Sequence, residues 1–245
     1  MQGVQVVDTA FDLRAEVGDR DPDIFSKTLR LYHQVLWSRQ LPSGGTFSLD
    51  ARLRHESQLG SFQLSSDTIV ATYARWKGPL RLLTVVSAAP PAEVAAFNRA
   101  ASAVGAFLVF PLGRRSAAER PQSINQARGI HPAIRDRFDL TLECIRRHYL
   151  YLDSPLDDVL GRHRDFFALF RDFRGYVDHF LLNDLVASDY EAVTQLKTFD
   201  EFTGDPLPCG SVEEYRTYMA RSMAFIAARN ARIHRHASLL SADER

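Results

Sequence analysis

Ala106-Phe107-Leu108-Val109-Phe110, closed by Pro111, is the stretch that decides the fold. A short, wholly apolar run with two aromatics, stopped by a residue that has no amide hydrogen, reads as a buried central strand. Upstream, Pro90-Pro91 opens a helix through Val94, Phe97, Ala101 and Val104, which Gly105 ends. Thr46 to Leu49, Ser61 to Ser65 and Thr68 to Tyr73 are short β-like pieces. Leu80 to Val86 fits strand or helix equally. Near the start, Asp21-Pro22-Asp23 supplies cap chemistry for a helix over about Ile24 to Ser38, which Leu41-Pro42-Ser43-Gly44-Gly45 breaks.

Beyond Pro111 the pattern changes. Gly113 to Gln122 reads as a basic, polar loop, and after Pro132 a helix is predicted over about Ala133 to Tyr151. Ser154-Pro155 starts another helix, carrying Leu156 through Phe170, and a further one holds Tyr176 to Leu185. Ser211-Val212-Glu213-Glu214 forms a capping box for a last helix running to about His236. The expected fold is therefore α+β: a small antiparallel sheet in the N-terminal half, packed against a helix-rich C-terminal half. A single domain over residues 1–245 is expected, with its ordered core from about residue 10 to 236.

Composition narrows the function classes. With 45% hydrophobic and 24% charged residues and zero net charge, the chain is neither disordered nor a globally basic nucleic-acid binder. Its 30 basic residues include only Lys27, Lys77 and Lys197, an arginine skew that a GC-rich coding sequence produces, so arginine position matters more than number. Cys144 and Cys209 are too few for a disulfide framework and sit in no C-x-x-C spacing. Met1-Gln2-Gly3-Val4-Gln5 does not read as a secretory signal, and no apolar run approaches the ~20 residues of a membrane span. Cytoplasmic residence without a membrane partner is the expectation. No phosphate-binding P-loop, Rossmann glycine fingerprint, H-E-x-x-H or G-x-S-x-G is present.

The densest polar stretch is Asn125, Arg128, His131, Asp136, Arg137, Asp139 and Glu143. On a continuous helix Asp136, Asp139 and Glu143 would line one stripe, where like charges repel unless a cation joins them. Residues 113–151 hold eight Arg against four acidic residues. That mixture predicts a polar cleft for a nucleotide or nucleic-acid phosphate, with Arg128 and Arg137 as forks. Asp136, Asp139 and Glu143 would serve as ligands of a divalent metal or as a general base, and His131 as a proton carrier, in metal-assisted phosphoester chemistry. The plainer reading is a solvated, salt-bridged helix face.

Two other stretches offer alternatives. Arg229-Asn230-Ala231-Arg232-Ile233-His234 resembles the R-x-x-x-x-H signature of HEPN-type ribonucleases, which implies that Arg229 steadies phosphate charge and His234 moves a proton. Basic residues in a last helical turn also follow from the helix dipole alone. Asp178 and His179, with Asp184, place acid–base groups beside many aromatics. A non-catalytic interaction domain would instead show an exposed apolar patch, from the region of Phe166 to Tyr176.

Several stretches together resemble an uncharacterised bacterial family of unknown function. They are Leu41-Pro42-Ser43-Gly44, Leu64-Ser65-Ser66-Asp67, Phe110-Pro111, the run Ile124-Asn125-Gln126-Ala127-Arg128-Gly129, and His131-Pro132. The run from Asp136 to Tyr149, Ser154-Pro155-Leu156, Phe166-Phe167, Phe173-Arg174-Gly175-Tyr176 and Asp184-Leu185 continue the match. The resemblance spans about residues 10 to 235 and implies one domain of bacterial origin, with no activity attached.

Overall fold

The computed structural model describes residues 7–73, 80–112, 123–197 and 199–243. The basic loop expected over 113–122 and the Met1–Gln5 segment lie outside the described residues. The chain begins with α1 (Leu13–Val17), α2 (Pro22–Phe25) and α3 (Lys27–Trp37). The hairpin β1 (Arg39–Gln40) and β2 (Thr46–Phe47) follows, then β3 (Arg54–Ser57) and β4 (Gly60–Thr68). Next come α4 (Leu80–Ala88), α5 (Pro91–Ala100), β5 (Phe107–Pro111), α6 (Ile124–Ile130) and α7 (Phe138–Tyr149). The C-terminal part holds α8 (Asp157–Arg162), α9 (Arg164–Ala168), α10 (Phe173–His179) and the long α11 (Val212–Asp243). The architecture is α+β, with small antiparallel sheets in the N-terminal half and mostly helices in the C-terminal half.

β3, β4 and β5 form an antiparallel sheet in that order. Leu64 pairs with Pro111 and Thr68 with Phe107, which places β5 at an edge and not in the centre. All five of its residues are nevertheless buried. The free edge is covered from α11, whose Arg229 donates Nη1 to the Phe107 carbonyl at 2.9 Å. Apolarity reported burial correctly, but not which neighbour supplied it.

Other departures have local causes. The first predicted helix is broken at Ser26, whose extended backbone lets its hydroxyl cap Leu29 N at 2.9 Å. Beyond Thr68 the chain leaves the sheet, and Tyr73 takes a left-handed φ of 58°. Leu80–Ala88 is helical. The 133–151 helix begins only at Phe138, because Arg135 and Asp136 both adopt positive φ (47° and 62°) and fold the chain back onto α6. The helix expected from Ser154 starts at Asp157 and is interrupted at His163, and the one expected to reach Leu185 ends at His179. Ser211 Oγ caps Glu214 N at 3.2 Å as expected, while the Glu214 carboxylate takes Gly210 N in place of the reciprocal bond. α11 then continues to Asp243.

One contiguous apolar cluster joins both halves, from Val7 and Leu13 through β5 to Ile233. Trp37 and Phe180 meet in it edge to face at 5.4 Å. Phe47 lies against Phe166 and Phe170 in an aromatic group that also holds Tyr176. Burial of this order supplies most of the driving force for folding.

Candidate functional site: a carboxylate pair on a buried arginine

Ser123 Oγ caps Gln126 N at 3.2 Å and sets the start of α6. One turn of this helix then directs Asn125 and Arg128 at the end of β4. Arg128 is completely buried. Its Nε donates to Thr141 Oγ1 (3.2 Å), Nη1 to Asp67 Oδ2 (2.7 Å) and Asp136 Oδ1 (3.2 Å), and Nη2 to the Asp136 carbonyl (2.7 Å). The left-handed turn at Arg135–Asp136 makes this wrap possible, with Asp136 N returning to the Arg128 carbonyl at 3.0 Å. Asn125 Nδ2 donates to Ser65 Oγ (3.0 Å) and the Ser66 carbonyl (3.1 Å).

Asp23, from α2, completes the group. Thr68 Oγ1 donates to its Oδ2 at 3.2 Å. Burial first, then the negative charge of Asp67, pushes the Asp23 carboxyl up to about 7, against the pull of the Ser66 and Thr68 hydroxyls. Asp67 is pushed up to about 6, mainly by burial and further by Asp136, while Arg128 draws it down. Asp23 Oδ1 and Asn125 Oδ1 are both buried without a hydrogen-bond donor. Two carboxyls with raised values and two orphan acceptors therefore share one corner of the fold. Behind it, Ser66 Oγ holds His33 Nε2 at 2.9 Å, and His33 Nδ1 accepts Trp37 Nε1–H at 2.9 Å.

Of the seven residues singled out in the sequence, Asn125, Arg128 and Asp136 converge here. The others do not. Arg137 and Asp139 form a buried ion pair: Arg137 Nε donates to Asp139 Oδ1 at 2.7 Å, Nη2 to Oδ2, and Nη1 to the Pro206 carbonyl at 3.1 Å. Asp139 Oδ2 also accepts Leu196 N at 2.8 Å, so the pair ties α7 to the 196–206 segment. Glu143 accepts from Arg146 (2.8 Å) and Arg147 (2.9 Å), a partly solvated network that also reaches Glu201. His131 Nδ1 accepts its own turn's Ala133 N at 3.2 Å. The single carboxylate stripe does not form, because Asp136 is off the helix. Arg128 and Arg137 have no exposed fork to offer a phosphate. Among the described residues no group of three or more His, Cys, Asp or Glu has the arrangement of a metal site.

The Arg229 end of the R-x-x-x-x-H motif is turned into the core. Arg229 is fully buried, with Nη1 on the Gly105 (2.8 Å) and Phe107 (2.9 Å) carbonyls and Nη2 on that of Phe180 (3.0 Å). Asn230 Oδ1 accepts Gly105 N at 2.8 Å, and His234 is exposed. Asp184 pairs with Arg232 at 3.0 Å. Phe166, Phe167, Phe170 and Tyr176 are buried, so the apolar patch expected there is absent; the exposed apolar residues include Leu150, Tyr151 and Leu152.

Asp23 and Asp67 were missed as site residues. Asp21-Pro22-Asp23 reads as a helix cap, and Asp21 does cap Asp23 N at 3.0 Å. Asp67 closes the Leu64-Ser65-Ser66-Asp67 stretch, and its position at a strand end beside two serines was the available signal.

Fold and site together define an α+β protein whose polar centre is a carboxylate pair braced by a buried arginine. The chain belongs to a family of unknown function, DUF6994, matched over residues 7–233. No curated protein and no solved structure matches it. Among the described residues no helix is long and apolar enough to cross a membrane.

Proposed function

We propose that the Asp23–Asp67 pair is an acid–base site acting on a polar ligand that donates hydrogen bonds. The observation that carries this reading is the mismatch between acceptors and donors: Asp23, Asp67, Asp136 and the Asn125 carbonyl converge, while the one cation among them is already committed. A phosphate would meet carboxylates here. Hydroxyl, amino or ammonium groups would find acceptors, and the ribose hydroxyls and base amino groups of a nucleoside are one such donor set.

Arg128 favours the ionised form of Asp67, so Asp67 is the base and Asp23 carries the shared proton. In a hydrolysis or group transfer, Asp67 would take a proton from water or a ligand hydroxyl while Asp23 gives one to the leaving group. Carboxyl NMR titration of the full chain tests this directly. Both groups should titrate near neutrality, and Asp67→Asn should lower the Asp23 value. A thermal-shift screen of amines, polyols and nucleosides should find a ligand that stabilises the wild type and not Asp23→Asn. Titration of both carboxyls below about 5, in the ordinary range, would sink the reading.

A further inference from the structure

On another face of the molecule, the β1–β2 hairpin and the chain around α10 enclose an open cavity of about 340 Å³. Arg39, Arg171, Arg174, Gly175, Asp178 and His179 are among its lining residues. The hairpin is held there by Ser43 Oγ, which donates to the Leu169 carbonyl at 2.6 Å. Its turn needs left-handed glycines, Gly44 (φ 91°) and Gly45 (φ 79°). Gly175 is required for the opposite wall, since a Cβ would overlap the Phe170 carbonyl oxygen and press on Pro42. Both walls are thus specified by the backbone.

The charges in this cavity are not balanced. Arg39 Nη2 donates to the Asp178 main-chain carbonyl at 2.7 Å and Nη1 lies 3.3 Å from His236 Nε2, but among the described residues no carboxylate pairs with it. Its Nε is buried without a partner. Arg171, held out at φ 72°, is exposed, and its side chain forms no hydrogen bond or ion pair among the described residues. Arg174 pairs with Asp178 Oδ2 at 3.6 Å and lies over the Tyr190 ring. Asp178 Oδ1 already accepts from Asn183 (2.6 Å) and Tyr190 (2.7 Å), and Asp172 caps Gly175 N. The three lining arginines face two lining carboxylates, Asp172 and Asp178, so one positive charge is in excess, and neither Arg39 nor Arg171 forms an ion pair among the described residues.

His179 adds an acceptor. Its ring packs against the Phe47 and Phe170 rings and bonds the Trp37 main chain through one nitrogen, while Nε2 is buried without a partner. Burial, and then the neighbouring Arg39, pushes its pKa down to about 2, which leaves a neutral ring with a lone pair. A site with one guanidinium held by main-chain and imidazole acceptors (Arg39), a second with no hydrogen bond among the described residues (Arg171) and one unprotonated imidazole nitrogen matches an anion that also carries a hydroxyl. Hydrogenphosphate and singly protonated phosphate monoesters do; sulfate and carboxylates at neutral pH do not.

We infer that this cavity binds the phosphate group of a small phosphorylated ligand, with Arg39 and Arg171 on the anionic oxygens and His179 Nε2 accepting the P–O–H proton. The volume exceeds that of phosphate alone and leaves room for the remainder of a small molecule. The site is independent of the Asp23–Asp67 pair.

The test is calorimetric titration of the full chain with inorganic phosphate, sulfate and acetate at neutral pH. Phosphate should bind about tenfold more tightly than sulfate or acetate, the ratio expected from one well-made charged hydrogen bond. Arg171→Gln removes a charge with no hydrogen bond or ion pair among the described residues and should weaken phosphate binding about tenfold with unchanged thermal unfolding. Arg39→Gln should do the same where it folds, and the Arg171 variant decides the matter if it does not. Asp67→Asn should bind phosphate as the wild type does. Equal affinity for sulfate, wild-type affinity in Arg171→Gln, no binding of phosphate, or loss of binding in Asp67→Asn each overturns the assignment.

Discussion

Arg128 Nη1 stands 2.7 Å from Asp67 Oδ2, a contact that spans 61 residues and joins α6 to the end of β4. The guanidinium is inaccessible and Asp67 keeps 22% of its side chain exposed. Such a pair resists removal of one partner more than removal of both, because the partner left behind is a buried charge with nothing to balance it.

Arg128→Met is therefore expected to lower unfolding free energy by about 3–5 kcal/mol, measured by chemical denaturation near neutral pH. Arg128→Met combined with Asp67→Asn should recover part of that loss. A double variant no better than the single one would show that the Thr141 and Asp136 contacts, and not Asp67, hold the arginine.

The raised carboxyls make a signed prediction about pH. In the unfolded chain Asp23 and Asp67 ionise near 4; in the folded chain they keep protons until about 7 and about 6. Between these limits the native state binds more protons, so their contribution to stability is present at low pH and is lost as pH rises from about 4 to about 7. As pH rises through that window, Asp67→Asn should gain on wild type, over and above any pH-independent loss from leaving Arg128 one partner short. Paired melts at closely spaced pH values read the difference directly, with the histidine contributions cancelled.

Histidines act in the opposite direction. His33 is buried and accepts the Trp37 indole N–H on Nδ1; burial and then Arg229 depress it to about 3. The unfolded chain takes up this proton near 6.5, so the contribution is full above that pH and is lost as pH falls towards 3. His33→Gln should show a shallower acid-side decline than wild type. An unchanged decline would assign acid sensitivity to His163, His179 and His236, which burial also pushes down.

Arg229 and His234 should separate cleanly. Arg229→Met leaves three main-chain carbonyls without their donor inside the core, at a cost of about 3 kcal/mol or more. His234→Ala, on the surface, should stay within about 0.5 kcal/mol. A ribonuclease role needs an accessible Arg229, so a stable Arg229→Met chain would revive that reading.

Much of the fold was legible because burial writes itself into apolar runs: the 107–110 residues of β5 and the periodic faces of α3 and α7 were visible directly. Partners were harder to read. The sequence of β5 cannot distinguish a strand flanked by two strands from one flanked by a strand and α11. Asp136 carried helical spacing to Asp139 and Glu143, yet two successive left-handed residues took it off the helix. Asn125, Arg128 and Asp136 were found because they are close in sequence. Asp23 and Asp67 were not, since they reach the site from distant elements and each has a sufficient local reading, as a cap residue or a strand end. Arginine burial was equally hidden, because its composition signal is that of surface.

Gly105 is gripped on both sides of its peptide plane, its amide by Asn230 and its carbonyl by Arg229, across 125 and 124 residues of chain. During synthesis, the start of β5 emerges long before these partners exist. The polar groups of Gly105 have no such partner until the last helix has been made, so this end of β5 is secured late even though its pairing with β4 is available early. Loop-closure entropy must be overcome before this contact contributes, so folding is expected to be slow, non-local and completed after translation has passed residue 230.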